Sequence, residues 1–454
     1  MLSKLCLKNY KAFEGESFEV KPITVILGPN NSGKSSVLSA ARVLSQTITS
    51  YDISVPFLLN GGLGNFGTYK DVVYGNSKRK HIEISFSIKP DESGQFHPGR
   101  SSSWEWGSEL SITIKFKLRP ALREIVINEL KVFKGGQSVI SFKYSSDSDK
   151  ILINSVNGEA VPISLKAELS GELRFFHFLP RSASFPPRSM IKDTVLGDFL
   201  TEDKYETIRA ISRLCDPAYR FFSTLEYIGA MRQPPSRSYL FSGERHAKVG
   251  ASGENAANII AMDSFRRGKK SKNIRYKVVE WLKSSQMASD IRVDNLSDSH
   301  YELHIQNPNS NEYQNFADVG YGISQVVPVL VAGYNLMPEQ TLMVEEPEIH
   351  LHPNAQAQLG DFFLDLYKHN VQSIIESHSE YLVVRLQQHV ASGLLDSNDI
   401  AFYYIHADGD GKKVAKLSLD STGTFKQPWP QGFFPHRLEE AKKLAKLRAS
   451  SLGV

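Results

Sequence analysis

Eight residues near the N-terminus, Gly28-Pro29-Asn30-Asn31-Ser32-Gly33-Lys34-Ser35, fit the pattern G-x-x-x-x-G-K-[ST]. The pattern has a physical content. Gly28 and Gly33 permit backbone angles that a side chain forbids. Successive N–H groups, from Asn30, Asn31 and Ser32 through Ser36, can then turn inward and form an anion nest. A helix starting at Lys34 aims its positive end at the same point. Lys34 brings a point charge to the β- and γ-phosphates of a bound nucleotide, and the Ser35 hydroxyl can ligate Mg²⁺. The chemistry in view is therefore binding and hydrolysis of ATP with Mg²⁺.

Three further stretches carry chemistry. Thr341-Leu342-Met343-Val344 is a short apolar run that delivers two adjacent carboxylates, Glu345 and Glu346, at its end. The C-terminal edge of a parallel sheet is where such folds place their ligand. Glu345 can bind the metal, and Glu346 can polarise the attacking water as a base. Asp318-Val319-Gly320-Tyr321-Gly322-Ile323-Ser324-Gln325 sets glycines and a serine at the start of a helix, a second phosphate cap. In Glu376-Ser377-His378-Ser379, His378 at a strand end can hydrogen-bond a γ-phosphate. A metal cluster of His350, His352 and His378 is a weaker reading of the same histidines, and Asp408-Gly409-Asp410-Gly411 is better explained as a β-turn.

The elements that position these residues follow from pattern. The run from Ile23 to Leu27 reads as a buried strand, with a hairpin before it over 2–20 and a helix after it over 34–46. Four glycines in 60–67 predict a loop. Strict alternation over 82–88 and 110–118, with further strands over 125–132, 139–144 and 151–156, predicts an antiparallel sheet with one wet face. Residues 90–108 read as an exposed loop between them. Helical spacing follows over 202–214, 254–267 and 276–284, with a proline-broken loop at 232–237 and a basic run at 266–272. A hairpin is expected over 290–306. After it, helix 324–334, strand 341–344, helix 354–367 and strand 371–375 alternate with short links, which argues for a parallel sheet with helical crossovers. The tail reads as strands 401–406 and 414–419 and a basic helix over 438–449.

The fold class expected is thus α/β: a P-loop NTPase with a parallel sheet, an antiparallel β subdomain and a short helical insertion. The divisions are 1–75 and 289–454 for the two halves of the ATPase head, 76–200 for the β subdomain and 201–288 for the helical insertion.

Composition narrows the class. With 53 basic and 49 acidic residues among 454, the net charge of +4 is too slight to argue for nucleic acid by itself. Two cysteines, Cys6 and Cys215, exclude a disulfide scaffold and fit a reducing cytoplasmic setting. The most apolar internal run, 326–334, is far short of the roughly 20 residues a membrane helix needs, so no membrane association is expected.

Taken together, the four motifs resemble the ABC-type ATPase heads of the SMC, RecF and OLD group, over 1–50 and 310–385. Gly-Tyr-Gly-Ile-Ser-Gln-Val-Val-Pro, Glu-Glu-Pro-Glu-Ile-His-Leu-His-Pro and Glu-Ser-His-Ser-Glu-Tyr-Leu are similar to OLD-like bacterial ATPases. Trp429-Pro430-Gln431-Gly432-Phe433-Phe434 resembles the C-terminal signature of one subgroup. The resemblance implies that Gly322, Ser324 and Gln325 form a signature motif gripping the γ-phosphate of a partner subunit. It implies that Glu345 stands at the metal-binding acid, Glu346 at the catalytic glutamate and His378 at the switch histidine. Two departures accompany it. The metal-binding position usually carries Asp, one methylene shorter than Glu345, and the Q-loop glutamine has only Gln46 as a nearby candidate. Neither the long coiled coil of SMC proteins nor the Toprim nuclease domain of the OLD type is expected from this sequence. By resemblance the chain is a cytoplasmic ATPase subunit of an anti-phage defence complex. It forms a homodimer or higher homo-oligomer around sandwiched ATP and controls a separate, nuclease-like effector. The alternative is a RecF-like repair ATPase that binds duplex DNA.

Overall fold

The computed structural model describes residues 1–89, 109–148, 150–161, 173–182, 214–241, 243–266, 272–409 and 411–428. The expected loop over 90–108, most of the helix over 202–214, most of the basic run, the 438–449 helix and the Trp429–Phe434 motif lie outside them. The chain forms two compact units. One comprises Met1–Val20 with Ser36–Leu225, the other Lys21–Ser35 with Glu226–Val454.

The first unit is built on an eight-stranded antiparallel sheet. Its strand order is Glu159–Ala160, Lys150–Val156, Gln137–Ser145, Glu124–Lys134, Leu110–Arg119, Ile82–Ile88, Leu2–Tyr10 and Phe13–Glu19. The alternation seen in the sequence sets its register. Ile84 pairs with Ile114, Ile114 with Leu130, and Leu130 with Phe142, forming one fully buried row. Each such side chain contributes roughly 1.5–3 kcal/mol by leaving water. The opposite face is polar: Ser85 meets Thr113 at 2.9 Å and Lys115 meets Glu129 at 2.6 Å. The N-terminal hairpin, expected ahead of the P-loop strand, joins this sheet, with Leu5 opposite Phe86 and Leu7 opposite Ile84. Leu5 and Leu7 are buried like the partners they face, so the hairpin's apolar positions continue the row. The glycine-rich 60–67 segment is a tight two-stranded turn rather than open loop, Asn60–Gly61 against Gly64–Asn65.

The second unit holds a six-stranded sheet. Its strands are β1 (Ile23–Leu27), β2 (Glu226–Ile228), β3 (Thr341–Glu345), β4 (Gln372–Glu376), β5 (Ile400–Asp408) and β6 (Gly411–Leu417). They lie in the order β2-β3-β4-β1-β5-β6, parallel except for β6. β2 falls where sequence periodicity pointed only to helices. Three residues, Glu226-Tyr227-Ile228, are too few to show a period, yet all are buried. Helix α1 (Lys34–Ile48) begins directly after the P-loop, and from Ser36 onward it is counted with the first unit. The other helices are α2 (Ala256–Ser264), α3 (Ile274–Ser284), α4 (Tyr321–Asn335), α5 (Pro353–Lys368) and α6 (Glu380–Ala391). A small antiparallel sheet carries Asp290–Asn295 against His300–Gln306, the hairpin expected over 290–306. α4 is apolar on all sides and is buried accordingly, from Ile323 to Tyr334. A Cβ on its Gly333 would run into the Phe362 ring, which shows how closely α4 and α5 approach. Val25, Val344 and Ile375 on adjacent strands lie in the same core as α4 and α5. No helix among the described residues is long and apolar enough to cross a membrane.

Candidate functional site

The ends of β1, β3 and β4 gather the residues that the motifs singled out. Gly28 leaves β1 at φ +146°, Asn31 follows at φ +61° and Gly33 at φ +104°. A Cβ on Gly28 would collide with the carbonyl oxygen of Ile405 on β5, so the glycine is required by contact as well as by angle. The loop is braced from outside as well, since the half-buried Lys412 donates from Nζ to the Asn31 carbonyl at 2.8 Å. Ser32 Oγ is buried and has no hydrogen-bond partner among the described residues.

Lys34 is 4 % exposed, and its Nζ donates to the Pro29 carbonyl at 3.0 Å. Burial lowers its proton affinity, and the carboxylates of Glu376, Glu346 and Glu348 partly oppose that. Ser35 Oγ donates to Glu376 Oε1 at 2.9 Å, and the same carboxylate oxygen lies 3.9 Å from Lys34 Nζ. Ser36, next along α1, gives its carbonyl to the Ser39 hydroxyl at 2.8 Å.

Glu345 ends β3 and pairs in register with Glu376 at the end of β4. Glu346 then leaves the strand with φ +44°, an uncommon angle for a residue with a side chain, and its N–H donates to the Glu376 carbonyl at 2.8 Å. That turn carries the Glu346 carboxylate to 4.0 Å from His378 Nε2. Burial, and then the charge of Lys34, depress the His378 pKa, which keeps its imidazole neutral. The buried Glu348 accepts the His378 N–H and so fixes the His378 backbone; burial raises its pKa. Glu376 is pushed up to about 7, first by burial and then by the charge of Glu345.

The Gly320–Gln325 stretch opens α4, with Gly320 as its N-cap. Gly322 packs against the turn after Glu346: a Cβ there would sit 2.9 Å from the His350 carbonyl. Ser324 and Gln325 are buried, and the Ser324 hydroxyl donates back to the Tyr321 carbonyl at 2.9 Å. Tyr321 itself is exposed. No hydrogen bond among the described residues joins Gly322, Ser324 or Gln325 to the 28–36 loop. Gln46 belongs to the other unit, where both ends of its amide are hydrogen-bonded. Its Nε2 donates to the Leu58 carbonyl and its Oε1 accepts from Leu63 N–H, which anchors the 58–63 segment. His350, His352 and His378 form no metal cluster, and no group of three or more potential ligands does so among the described residues.

The family described as AAA ATPase domain matches residues 1–163 and 255–383, well over half of the chain. The chain belongs to the AAA ATPase domain family. No curated protein matches it. Among solved structures it is similar to an SMC head bound to the C-winged helix domain of ScpA, at 14% identity and TM-score 0.46, covering 92% of this chain and 98% of that one. It is also similar to the SMC head domain from Thermotoga maritima, at 11% identity and TM-score 0.40, covering 91% and 98%. A third is an Smc head with an extended coiled coil bound to the C-terminal domain of ScpA derived from Pyrococcus furiosus, at 13% identity and TM-score 0.41, covering 98% and 99%.

In this AAA ATPase domain two site residues escape sequence reasoning. Glu376 was visible only as the residue two before His378, although an acid closing a buried strand beside Glu345 is a signal in itself. Arg232 left no signal, since its neighbours read as a proline-broken loop. It is buried, its Nη2 donates to the carbonyls of Glu345 at 2.7 Å and Glu346 at 3.0 Å, and its Nη1 donates to that of Gln325 at 3.3 Å. Burial lowers its pKa to about 10, still high enough to hold the proton at neutral pH.

Proposed function

We propose that the chain binds and hydrolyses ATP, and that it serves as the nucleotide-dependent switch of an anti-phage defence complex whose effector is a separate chain. The observation that carries the ATPase reading is the convergence on one sheet edge of Lys34, Ser35, Glu346 and His378, within a chain of the AAA ATPase domain family.

The roles follow from placement. The 28–36 loop holds the phosphates by backbone N–H groups, with Gly28, Asn30, Asn31, Ser32, Gly33 and Ser36 shaping it. Lys34 exchanges its bond to the Pro29 carbonyl for the β- and γ-phosphates, a stronger charge-assisted contact. The oxygens of Ser35 and Glu345, and the orphaned buried oxygen Glu376 Oε2, suit a hard divalent cation such as Mg²⁺. When bound, the cation neutralises developing charge on the phosphate oxygens. Glu346 takes the proton of the attacking water, because its carboxylate faces outward from the strand end. His378, held neutral and directed by Glu348, donates to the γ-phosphate. The defence assignment rests on the sequence resemblance alone, as does the sandwich of ATP between two chains.

The test is direct. ATP hydrolysis by the purified chain with Mg²⁺ should fall by roughly 10²–10⁴-fold in Glu346→Gln, the range for a lost general base. Absence of any Glu346-dependent turnover sinks the ATPase reading. Titration with duplex DNA over a range of salt separates the defence reading from RecF-like DNA repair, since phosphate contacts weaken steeply as salt rises.

A further inference from the structure

We propose that Glu376 is a second carboxylate ligand of the divalent cation, beside Ser35 and Glu345, so that the site takes up the cation before the nucleotide arrives. The inference deepens the ATPase reading and rests on it for the identity of the pocket.

Three observations carry it. First, β3 and β4 run parallel, with Glu345 and Glu376 in register at their ends. Register partners on this face project to the same side. Four residues back along the same strands, Thr341 Oγ1 donates to its partner Gln372 Oε1 at 3.0 Å. Two carboxylates placed side by side in this way repel, and a positive charge between or beside them relieves the repulsion, as a proton on one of them also would. Second, Lys34 answers that need only in part. Its Nζ stands 3.9 Å from Oε1, beyond hydrogen-bond distance, and gives one of its N–H groups to the Pro29 carbonyl. Third, Glu376 is 3 % exposed, and its two oxygens differ in their surroundings. Oε1 holds the Ser35 hydroxyl, while Oε2 is buried with no hydrogen-bond partner among the described residues. A buried acceptor without a partner costs about 1–3 kcal/mol, and nearly all such atoms in native proteins find one.

A cation seated between Oε2, the Glu345 carboxylate and the Ser35 hydroxyl resolves all three. It partners the orphaned oxygen, separates the two like charges, and uses the hydroxyl that Glu376 already orients. The donors are all oxygen, which selects Mg²⁺ or Mn²⁺ over softer ions. The second carboxylate also compensates for Glu345, whose extra methylene makes it a less constrained ligand than Asp. A pocket with one carboxylate depends on the nucleotide phosphates to complete the cation's shell. A pocket with two holds the cation unaided.

The experiment uses the full chain freed of nucleotide, Mn²⁺ as the probe, and the electron paramagnetic resonance signal of free Mn²⁺ as the readout. The wild-type chain should bind one Mn²⁺ tightly without nucleotide. Glu376→Gln, which keeps the side-chain volume, should weaken this at least about tenfold, the scale seen when a group supporting a metal is lost. Ser35→Ala should weaken it less, because both charges remain. In EDTA, where no cation competes, Glu376→Gln should bind a fluorescent ATP analogue at least as tightly as wild type, since a negative charge beside the phosphates is gone. Should Glu376→Gln fail to fold, the wild-type chain alone decides: no Mn²⁺ bound in the absence of nucleotide overturns the proposal. Equal Mn²⁺ affinity in wild type and Glu376→Gln overturns it too. Analogue binding in EDTA that is lost in Lys34→Ala keeps the ATP reading standing whichever way the Mn²⁺ result falls.

Discussion

The guanidinium of Arg232 donates at 3.0 Å to the carbonyl of Glu346, the residue whose carboxylate is the candidate base. The same side chain bonds the carbonyls of Glu345 and Gln325, so one buried cation ties the turn after β3 to the first turns of α4. Its own loop is held in place by Gly229 N–H on the Ala251 carbonyl and Gln233 N–H on the Ser252 carbonyl, each at 2.8 Å. Arg232 therefore joins the Glu345-Glu346 turn to the start of α4 within one chain. It also holds Glu346 at φ +44°, an angle that costs of order 1–3 kcal/mol and persists only where the surroundings enforce it.

Arg232→Ala should withdraw a donor from three carbonyls, one buried and two part-buried, at about 1–3 kcal/mol for any left without a partner. The expected result is a fall in thermal midpoint together with a loss of kcat that exceeds any change in ATP affinity. Arg232→Lys should recover part of the stability, because one ammonium cannot reproduce a planar fork bridging separate elements. Equal kcat in wild type and Arg232→Ala would show that the turn holds its geometry without this residue.

Lys34→Ala should weaken ATP binding by roughly 10–100-fold, the worth of a lost charge-assisted contact. The fold should survive, because burial already disfavours the Lys34 ammonium and its one hydrogen bond among the described residues is to a loop carbonyl. Calorimetry checks the affinity and circular dichroism the fold. Unchanged affinity removes the P-loop assignment.

What could be read from the sequence, and what could not, follows from the range of the interactions. The Gly28–Ser35 loop and the Glu345-Glu346 pair were legible because their chemistry is local: a turn that needs glycine, and a strand that ends in acid. The 82–88 and 110–118 strands were legible because alternation survives wherever one face is buried. Arg232 was not, since its three acceptors lie 93 to 114 residues away and are backbone carbonyls, which leave no mark on composition. Strand β2 was too short for a period. The Glu376 role needed the β3–β4 register, a fact of pairing rather than of sequence. Ser324 was legible as a helix start, but its burial is a matter of packing, as is the close approach of Gly322 to the His350–Leu351 turn.

A chain whose recognisable chemistry is confined to phosphate binding should not cut nucleic acid by itself. The purified protein with Mg²⁺ or Mn²⁺ should leave plasmid, linear DNA and RNA intact over hours. Cleavage that persists in a Glu345→Ala, Glu346→Ala double variant would place the effector inside this chain and end the separate-effector reading.

Glu346→Gln should keep ATP bound while removing the base. Gln at φ +44° bears the same backbone cost as Glu, so the turn is not further strained. If ATP closes two chains on each other, the closed form should then accumulate, visible as an ATP-dependent shift to a larger species in size-exclusion chromatography. A Glu346→Gln chain that stays monomeric with saturating ATP argues against closure.

The composite site can be tested by mixing. Within one chain, the first turn of α4 makes no hydrogen bond to the 28–36 loop among the described residues, and Ser324 turns its hydroxyl back on the Tyr321 carbonyl. The part of this turn open to a partner is Gly320 and the exposed Tyr321. A trans contact would therefore use the backbone at 320–322 and the positive end of α4, with Ser324 bracing the turn. An Arg at the buried Ser324 would burden the fold, so Tyr321→Glu is the better lesion. It sets a carboxylate where the partner's γ-phosphate arrives and repels it. Lys34→Ala kills the other half of the site. Each variant alone should be inactive as a homodimer, since both of its sites carry one lesion. A mixed dimer has one site with both lesions and one with neither, so ATPase activity should return on mixing and peak near equal proportions. If no ratio restores turnover while labelled wild-type subunits are seen to exchange, ATP is not shared between Lys34 of one chain and α4 of another.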